Sequence, residues 1–341
     1  MVHKGSKHSV AVIGGGSFGT AIANIVADNG HQVGVWLRDK MLVEQCQQNG
    51  ENVKYLPGYP LNPDIQFTND LKGLCTQAEI IFLAIPSKSF RAVLQQIKPY
   101  VSSSQMIVST AKGIQADGFM LMSQVVEQEL GKVKVGVLSG PNLAVEIAQR
   151  KLTATVVAST DKTLIKTIQI LLSQPYFRVY GNEDVFGVEL GGALKNIYAI
   201  AAGMADALGM GENTKGMLIT RSLAEMSRMA EKLGGNPSTF LGLAGVGDLI
   251  VTCSSPLSRN YQLGHLLGEG LSLEEANTQL NQTVEGVNTV RLVRNKALEM
   301  DLYMPLVSGM YAILYEANDL KTVIAGLMLG EHADDVEFSL R

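Results

Sequence analysis

Val10-Ala11-Val12-Ile13-Gly14-Gly15-Gly16-Ser17-Phe18-Gly19-Thr20-Ala21 runs from an apolar strand through G-x-G-x-x-G straight into a helix. Each glycine has a task in such a turn. Gly14 permits the tight bend, Gly16 lets the backbone approach a pyrophosphate, and Gly19 lets the new helix lie close against its strand, with the helix amides facing the anion. The strand before, the helix after and the position near the N-terminus suit the first βα unit of a dinucleotide-binding sheet. Ser17 and Phe18 fall inside the same turn.

Working outward, Gln32 to Leu37, Ile80 to Ile85, Met106 to Thr110, Val133 to Ser139, Thr153 to Ser159 and Phe177 to Tyr180 read as further strands, with helical patterns between several of them. This alternation predicts a mainly parallel, doubly wound sheet of the Rossmann type. The stretch from Asn49 to Pro63 is polar and rich in Gly and Pro. From Val188 onward alanine, leucine and methionine recur at helical spacing with few strand signals. We therefore expect a dinucleotide-binding domain over 1–188 and an all-helical substrate and catalytic domain over 189–341, with a loosely ordered acidic tail from Glu331 to Arg341.

The gross numbers narrow the function. A chain of 341 residues is long enough for two cores. A formal net charge of -4 gives no broad electrostatic reason to expect nucleic acid. Cys46, Cys75 and Cys253 lack the paired spacing of a zinc or redox motif, so no metal is expected and a reducing cytoplasm is the simplest setting. No uninterrupted apolar run reaches membrane-spanning length. An apolar helical domain makes a homodimer a reasonable expectation.

Three readings of the second strand's end stay open. An acid there, about 20 residues past the glycine turn, would favour NAD. The chain has Arg38-Asp39-Lys40 instead. Arg38 can pair with a ribose 2′-phosphate, which favours NADP, whereas a small rotation would present Asp39 to the hydroxyls of NAD; an ordinary solvated turn has equal weight.

The second half carries the chemistry. Val188 to Gly203 sets Lys195 among small and apolar residues. A buried, unpaired ammonium costs several kcal/mol, as an order of magnitude, unless its pKa drops or partners compensate. A lysine so placed is suited to proton transfer, and a lysine snorkelling to solvent is the plain alternative. Lys112 follows a strand end, as Ser139-Gly140-Pro141-Asn142 does, and a second cation there would depress the pKa of Lys195. Asp248, in Gly245-Val246-Gly247-Asp248, can orient the ammonium and raise its pKa, and Arg259 between Ser258 and Asn260 offers donors to a phosphate. Helix capping by Asp248 and a surface salt bridge for Arg259 are the structural alternatives.

Taken together, these pieces resemble the bacterial-type NAD(P)-dependent glycerol-3-phosphate dehydrogenases over almost the whole chain. The resemblance is carried by G-G-G-S-F-G-T-A, Lys112-Gly113, S-G-P-N at Ser139, E-L-G-G-A-L-K-N ending at Asn196, G-x-G-D at Asp248, S-R-N at Ser258 and V-E-G at Val284 to Gly286. It implies interconversion of dihydroxyacetone phosphate and sn-glycerol 3-phosphate, the latter feeding phospholipid synthesis, with NADP (NADPH) or NAD as cofactor. It gives Lys195 the role of proton donor and acceptor. Lys112, Gly140, Asn142, Asp248, Ser258, Arg259 and Asn260 fall at substrate positions; Ser17, Phe18, Arg38, Lys112, Ala144, Arg259 and Glu285 fall at cofactor positions beside the glycines. Some relatives have serine where this chain has Asn142.

Three rivals fit less well. A β-hydroxyacid dehydrogenase has asparagine four positions after its lysine, where this chain has Ala199. A lactate- or malate-type enzyme needs a catalytic histidine, and of His3, His8, His31, His265 and His332 only His265 is a candidate, read here as lacking an acidic partner. A nucleotide sensor without catalysis has no use for Lys195, Asp248 and Arg259 together.

Overall fold

A strand that is apolar on both faces belongs in the interior of a parallel sheet covered by helices. Accordingly β1 (Ser9–Ile13) lies between β2 (Gln32–Trp36) and β4 (Ile80–Leu83), parallel to both. The computed structural model describes residues 7–280 and 284–329, so the expected looseness of the acidic tail lies outside the described residues. Beyond β2 comes β3 (Ile65–Thr68); on the other side follow β5 (Met106–Ser109), β8 (Lys134–Ser139), β9 (Thr153–Ala158) and β10 (Phe177–Asn182). All neighbours are parallel except β8 and β9, which run antiparallel with Val137 opposite Ala158. Because the chain leaves β1 toward β3 and returns to β4, the direction of winding switches beside β1. In open α/β sheets ligands bind outside the strand ends at such a switch.

The sheet is layered by α1 (Ser17–Asp28), α2 (Lys40–Asn49), α3 (Leu71–Gln77), α4 (Ser87–Ile97), α5 (Met122–Leu130), α6 (Ala144–Ala148) and α7 (Lys162–Leu172). β3 escapes the sequence reading, since four residues, Ile-Gln-Phe-Thr, bury only alternate side chains and leave a short signal beside a turn-rich loop.

The rest of the described chain is helical: α8 (Val185–Ala207), α9 (Glu212–Lys232), α10 (Asp248–Ser254), α11 (Arg259–Gly268), α12 (Leu273–Leu280), α13 (Glu285–Glu299), α14 (Pro305–Tyr315) and α15 (Leu320–Met328). Two compact units result, 1–111 with 122–185 and 112–121 with 186–341. The chain therefore crosses between them three times, where the sequence suggests one crossing near residue 188. The added crossings flank Lys112–Leu121, a hairpin of β6 (Ile114–Gln115) and β7 (Met120–Leu121) whose Ile114 and Leu121 are buried with the helices. Its strands are too short to give a periodic signal.

α8 is long and apolar enough to meet a membrane-span criterion, which tempers the expectation that no stretch reaches that length; 83% of that stretch is buried inside the protein, as in a core helix. Its small residues explain how. A Cβ on Gly203 would overlap the carbonyl oxygen of Tyr261, and one on Gly264 would overlap that of Ile200, so α8 and α11 cross with their backbones touching.

Candidate functional site

On the sheet unit the glycine turn has the geometry its sequence announces. Gly14 holds φ +106°, open chiefly to glycine, and a Cβ there would meet the carbonyl of Ala84. A Cβ on Gly19 would overlap the carbonyl oxygen of Gly14, which is why α1 can start so close to its strand. Gly16, the N-cap of α1, faces open space within 4 Å of where its Cβ would be, and the helix has no acid in its first turn. Backbone amides at a helix N-terminus with open space before them suit a pyrophosphate.

The turn is braced by a residue the sequence did not signal. Asn52, fully buried, donates to the Gly15 carbonyl at 2.8 Å and to Thr20 Oγ1 at 2.9 Å, while Ser17 Oγ donates to the Tyr55 carbonyl at 2.5 Å. The polar loop after α2 thus secures the glycine turn. Phe18 packs half-buried on the sheet core, as does Ala144 at the start of α6. At the end of β2, Arg38 is exposed and Asp39 caps α2, its carboxylate accepting from Met41 N at 3.0 Å. Gly140, at φ +134°, bends the chain after β8; Asn142 then donates to Thr155 Oγ1 at 2.9 Å, and that hydroxyl donates to the Ser139 carbonyl at 3.0 Å.

The helical unit assembles a separate cluster. Lys195 is 6% exposed, which excludes the snorkelling alternative. Its Nζ donates to Asp248 Oδ1 at 2.5 Å and to Thr252 Oγ1 at 2.6 Å. The other carboxylate oxygen of Asp248 takes Lys112 Nζ at 2.6 Å. Asp248 is nearly inaccessible, and Lys112 half-buried. Burial lowers the pKa of Lys195 to about 8; the Asp248 carboxylate works against that and the Lys112 ammonium with it. Two ammoniums thus share one carboxylate, an arrangement tolerable in a buried place only because all three are hydrogen-bonded.

Local structure sets these positions. The glycine-rich segment before Asp248 forms one π-helical turn, Leu243–Gly247, and a Cβ on Gly191 would lie 2.7 Å from its Ala244 carbonyl oxygen. This approach brings α8 against the start of α10. Thr252, which the sequence reading missed, stands four residues after Asp248 and so on the same helix face, a spacing that could have revealed it.

The remaining positions are distributed as follows. Ser258 caps α11 by accepting from Tyr261 N at 3.3 Å, Arg259 is exposed on its first turn, and Asn260 is buried and bonds to Asn196. Glu285 opens α13. His265 does have acidic neighbours, contrary to the sequence reading: Glu269 at 3.5 Å, one turn on, and Asp206 at 3.8 Å, brought in from the end of α8. Asp206 is eleven residues past Lys195, about 16 Å along a helix, so this group is remote from the buried ammonium. Cys253 is buried and its thiol pushed up to about 12, the condition of an unreactive core residue.

A mainly parallel sheet with a dinucleotide turn after β1, joined to a helical unit with a buried lysine on an aspartate, defines a class: the two-part nicotinamide-dependent dehydrogenases. Within it, the chain belongs to the NAD-dependent glycerol-3-phosphate dehydrogenase family, whose N-terminal part matches residues 9–165 and whose C-terminal part matches 184–325. It is 54% identical to a glycerol-3-phosphate dehydrogenase (NAD(P)+) of Saccharophagus degradans over 97% of this chain and 93% of that one. It is 56% identical to the protein of that name in Pseudomonas syringae pv. tomato, over 98% and 97%. The solved glycerol-3-phosphate dehydrogenase of Coxiella burnetii superposes with a TM-score of 0.91 at 38% identity, covering 95% of this chain and 99% of the other.

Proposed function

We propose that this chain catalyses reversible hydride transfer between NAD(P)H and dihydroxyacetone phosphate, yielding sn-glycerol 3-phosphate for phospholipid synthesis. The observation that carries the proposal is the buried Lys195 ammonium held by Asp248 and Thr252 beside Lys112. Family membership supplies the substrate.

The glycine turn fits the dinucleotide: Gly14, Gly16, Ser17, Phe18 and Gly19 would hold its pyrophosphate at the start of α1, with Ala144, Arg259 and Glu285 as further contacts. When bound, a reduced nicotinamide supplies hydride to the C2 carbonyl carbon. Negative charge then grows on the carbonyl oxygen, and Lys195 protonates it, or accepts the proton in the reverse direction. Of the three donors on Lys195 Nζ, Asp248 and Thr252 engage two and orient the third for this oxygen. Its pKa of about 8, against about 10.4 for a free lysine, brings proton release within reach near neutrality. Asp248 opposes that shift and so serves orientation. Lys112 and Arg259, on the first turn of α11 capped by Ser258, attract the phosphate, and Gly140 and Asn142 complete the substrate positions.

Because the Asp39 carboxylate caps α2, we assign the 2′-phosphate of NADP to the exposed Arg38. Arg38→Ala should then raise the KM for NADPH about tenfold and leave that for NADH within about twofold; an unchanged ratio rejects the assignment. We also propose that the protein is a cytoplasmic homodimer; light scattering on the purified chain tests the dimer. The deciding experiment is a steady-state assay with NADPH or NADH and dihydroxyacetone phosphate as the only carbonyl. Oxidation of the cofactor is expected; cofactor binding without turnover would instead identify a sensor.

A further inference from the structure

The loop after α2 meets α1 along one polar stripe. Ser17, Thr20, Asn24 and Asp28 follow one another at helical spacing and so share a face of an otherwise apolar helix. At its start Ser17 and Thr20 bond to Tyr55 and Asn52; at its end Asn24 Oδ1 accepts from Asn62 N at 2.8 Å and Asp28 Oδ1 from Asn62 Nδ2 at 2.7 Å. The loop is also closed on itself. Leu61 N donates to the Gly50 carbonyl at 2.8 Å, and Gly58 N donates to Glu51 Oε1 at 2.6 Å. A loop with joined ends, strapped to a helix at two places, is a fixed platform.

What that platform holds is a single peptide group. Asn52 Nδ2 donates to the Gly15 carbonyl oxygen at 2.8 Å, and Thr20 Oγ1, which accepts from Asn52 at 2.9 Å, donates to the same oxygen at 3.3 Å. Asn52 Oδ1 accepts from Tyr55 N at 3.3 Å. A backbone carbonyl only accepts and a backbone N–H only donates, so the Asn52 amide has one orientation that serves all its partners. Asn52 and Thr20 are both fully buried. In a trans peptide the carbonyl and the following N–H point opposite ways. Two donors on the Gly15 oxygen therefore turn the Gly16 N–H away from the loop, and by drawing electron density toward the oxygen they make that N–H a stronger donor. Gly16 is the N-cap of α1 and the glycine at which a pyrophosphate can approach the backbone.

We infer that Asn52, together with Thr20, is a positioning residue for the dinucleotide, aiming and polarising the Gly16 amide at the pyrophosphate through the Gly15–Gly16 peptide. This rests on the assignment of the glycine turn to the pyrophosphate. Asn52 works from behind the turn and makes no cofactor contact of its own.

Three variants of the full chain test it. Asn52→Leu removes the closer donor to Gly15, Thr20→Val removes the farther one with little change of shape, and Thr20→Ser restores the hydroxyl. The Kd for NADPH, by fluorescence titration, should rise about tenfold in Asn52→Leu and about threefold in Thr20→Val, the order of one weakened hydrogen bond to a charged group, and stay within about twofold of the parent in Thr20→Ser. At saturating NADPH, kcat and the KM for dihydroxyacetone phosphate should hold within about twofold, the split expected when only the cofactor's anchor loosens. An unchanged Kd in Asn52→Leu overturns the inference, and so does a rise matched by an equal loss in kcat, which marks general damage to the fold. A measurement on the parent guards against variants that do not fold. In protein labelled with ¹⁵N-glycine, NADPH should move the Gly16 amide proton downfield, and by less in Thr20→Val. A Gly16 resonance that ignores bound NADPH overturns the role of Asn52 and leaves the dinucleotide to the other amides of the turn; a parent that does not bind NADPH overturns both readings together. NADPH binding without turnover of dihydroxyacetone phosphate removes the catalytic reading alone, and the Kd series and the Gly16 resonance still decide the role of Asn52.

Discussion

The two units handle charge in opposite ways. Among the described residues, the buried charged side chains are Glu189, Lys195, Glu225 and Asp248, all in the helical unit; the sheet unit buries only neutral polar groups such as Thr20, Asn52 and Thr155. Its ligand-facing feature is backbone: a turn, a helix N-terminus and glycines that leave room. The helical unit works with side chains instead, and a buried ionised group must bring its partners along. A backbone site is contiguous and depends on steric freedom, whereas a charge site is dispersed and depends on mutual pairing, so the two should fail differently when altered.

Lys195→Ala should produce the largest effect. General acid–base catalysis contributes about 10²–10⁴-fold, and we expect kcat to fall in that range while the Kd for NADPH, by fluorescence titration, stays within about twofold. Near-parental turnover in a folded variant would end the comparison, because the buried charge would then have no catalytic use. Next comes Gly19→Ala. One methyl must displace the Gly14 carbonyl, and we expect NADPH affinity to fall about 30-fold or more with the Lys195 cluster unperturbed. Unchanged affinity would mean that the turn is not what holds the dinucleotide.

This division also explains what the sequence disclosed. The β1 turn was legible because Gly14, Gly16 and Gly19 are neighbours and each glycine answers a local demand. Asn52, which secures that turn from the loop after α2, was not legible, since an asparagine in a polar loop has many uses and only the fold brings it to Gly15 and Thr20. Lys195 stood out as a cation in a helix of small residues, but Thr252 and the bond from Asn196 to Lys112 depend on how α8, α10 and the hairpin meet. Lys112 was found as a residue while its unit was not: the β6–β7 hairpin that carries it joins the helical core through Ile114 and Leu121, a tertiary choice that four strand residues cannot signal.

A smaller effect tests the pairing itself. The pKa of about 8 on Lys195 is the balance of burial and Lys112 against Asp248. Removing the carboxylate charge with Asp248→Asn takes away the influence that raises it, so the ammonium should lose its proton at lower pH. Reduction of dihydroxyacetone phosphate needs the protonated form. Its rate should therefore decline above about pH 8 in the parent, and in Asp248→Asn the decline should begin at least one pH unit lower, of the order expected when an adjacent opposite charge is lost. A profile that stays in place would show that another group sets the alkaline limb.

Glu225 offers the finest test, since its charge is buried but remote from the proposed chemistry. Its carboxylate accepts from Tyr198 Oη at 3.1 Å, from Leu306 N at 2.5 Å and from Val307 N at 3.2 Å. α14 begins with Pro305, which has no N–H, after Met304, which offers no capping side chain, so a carboxylate from α9 meets the first free amides of that helix. Burial nevertheless outweighs these donors and the nearby Arg228, raising the pKa from 4.5 to about 7. With the folded value above the unfolded one, the protonated acid is the form that folding favours. Its contribution is complete below about pH 4.5 and is lost as pH rises through 7. Glu225→Gln, neutral throughout, should flatten the Tm profile between pH 5 and 8, at a Tm lower by about 3 °C at pH 5 because the two amides meet different carboxylate oxygens and its single oxygen can serve only one of them. If the slope between pH 5 and 8 persists in Glu225→Gln, another titrating group sets it, and Glu225 is not where the pH dependence of the helical unit lies.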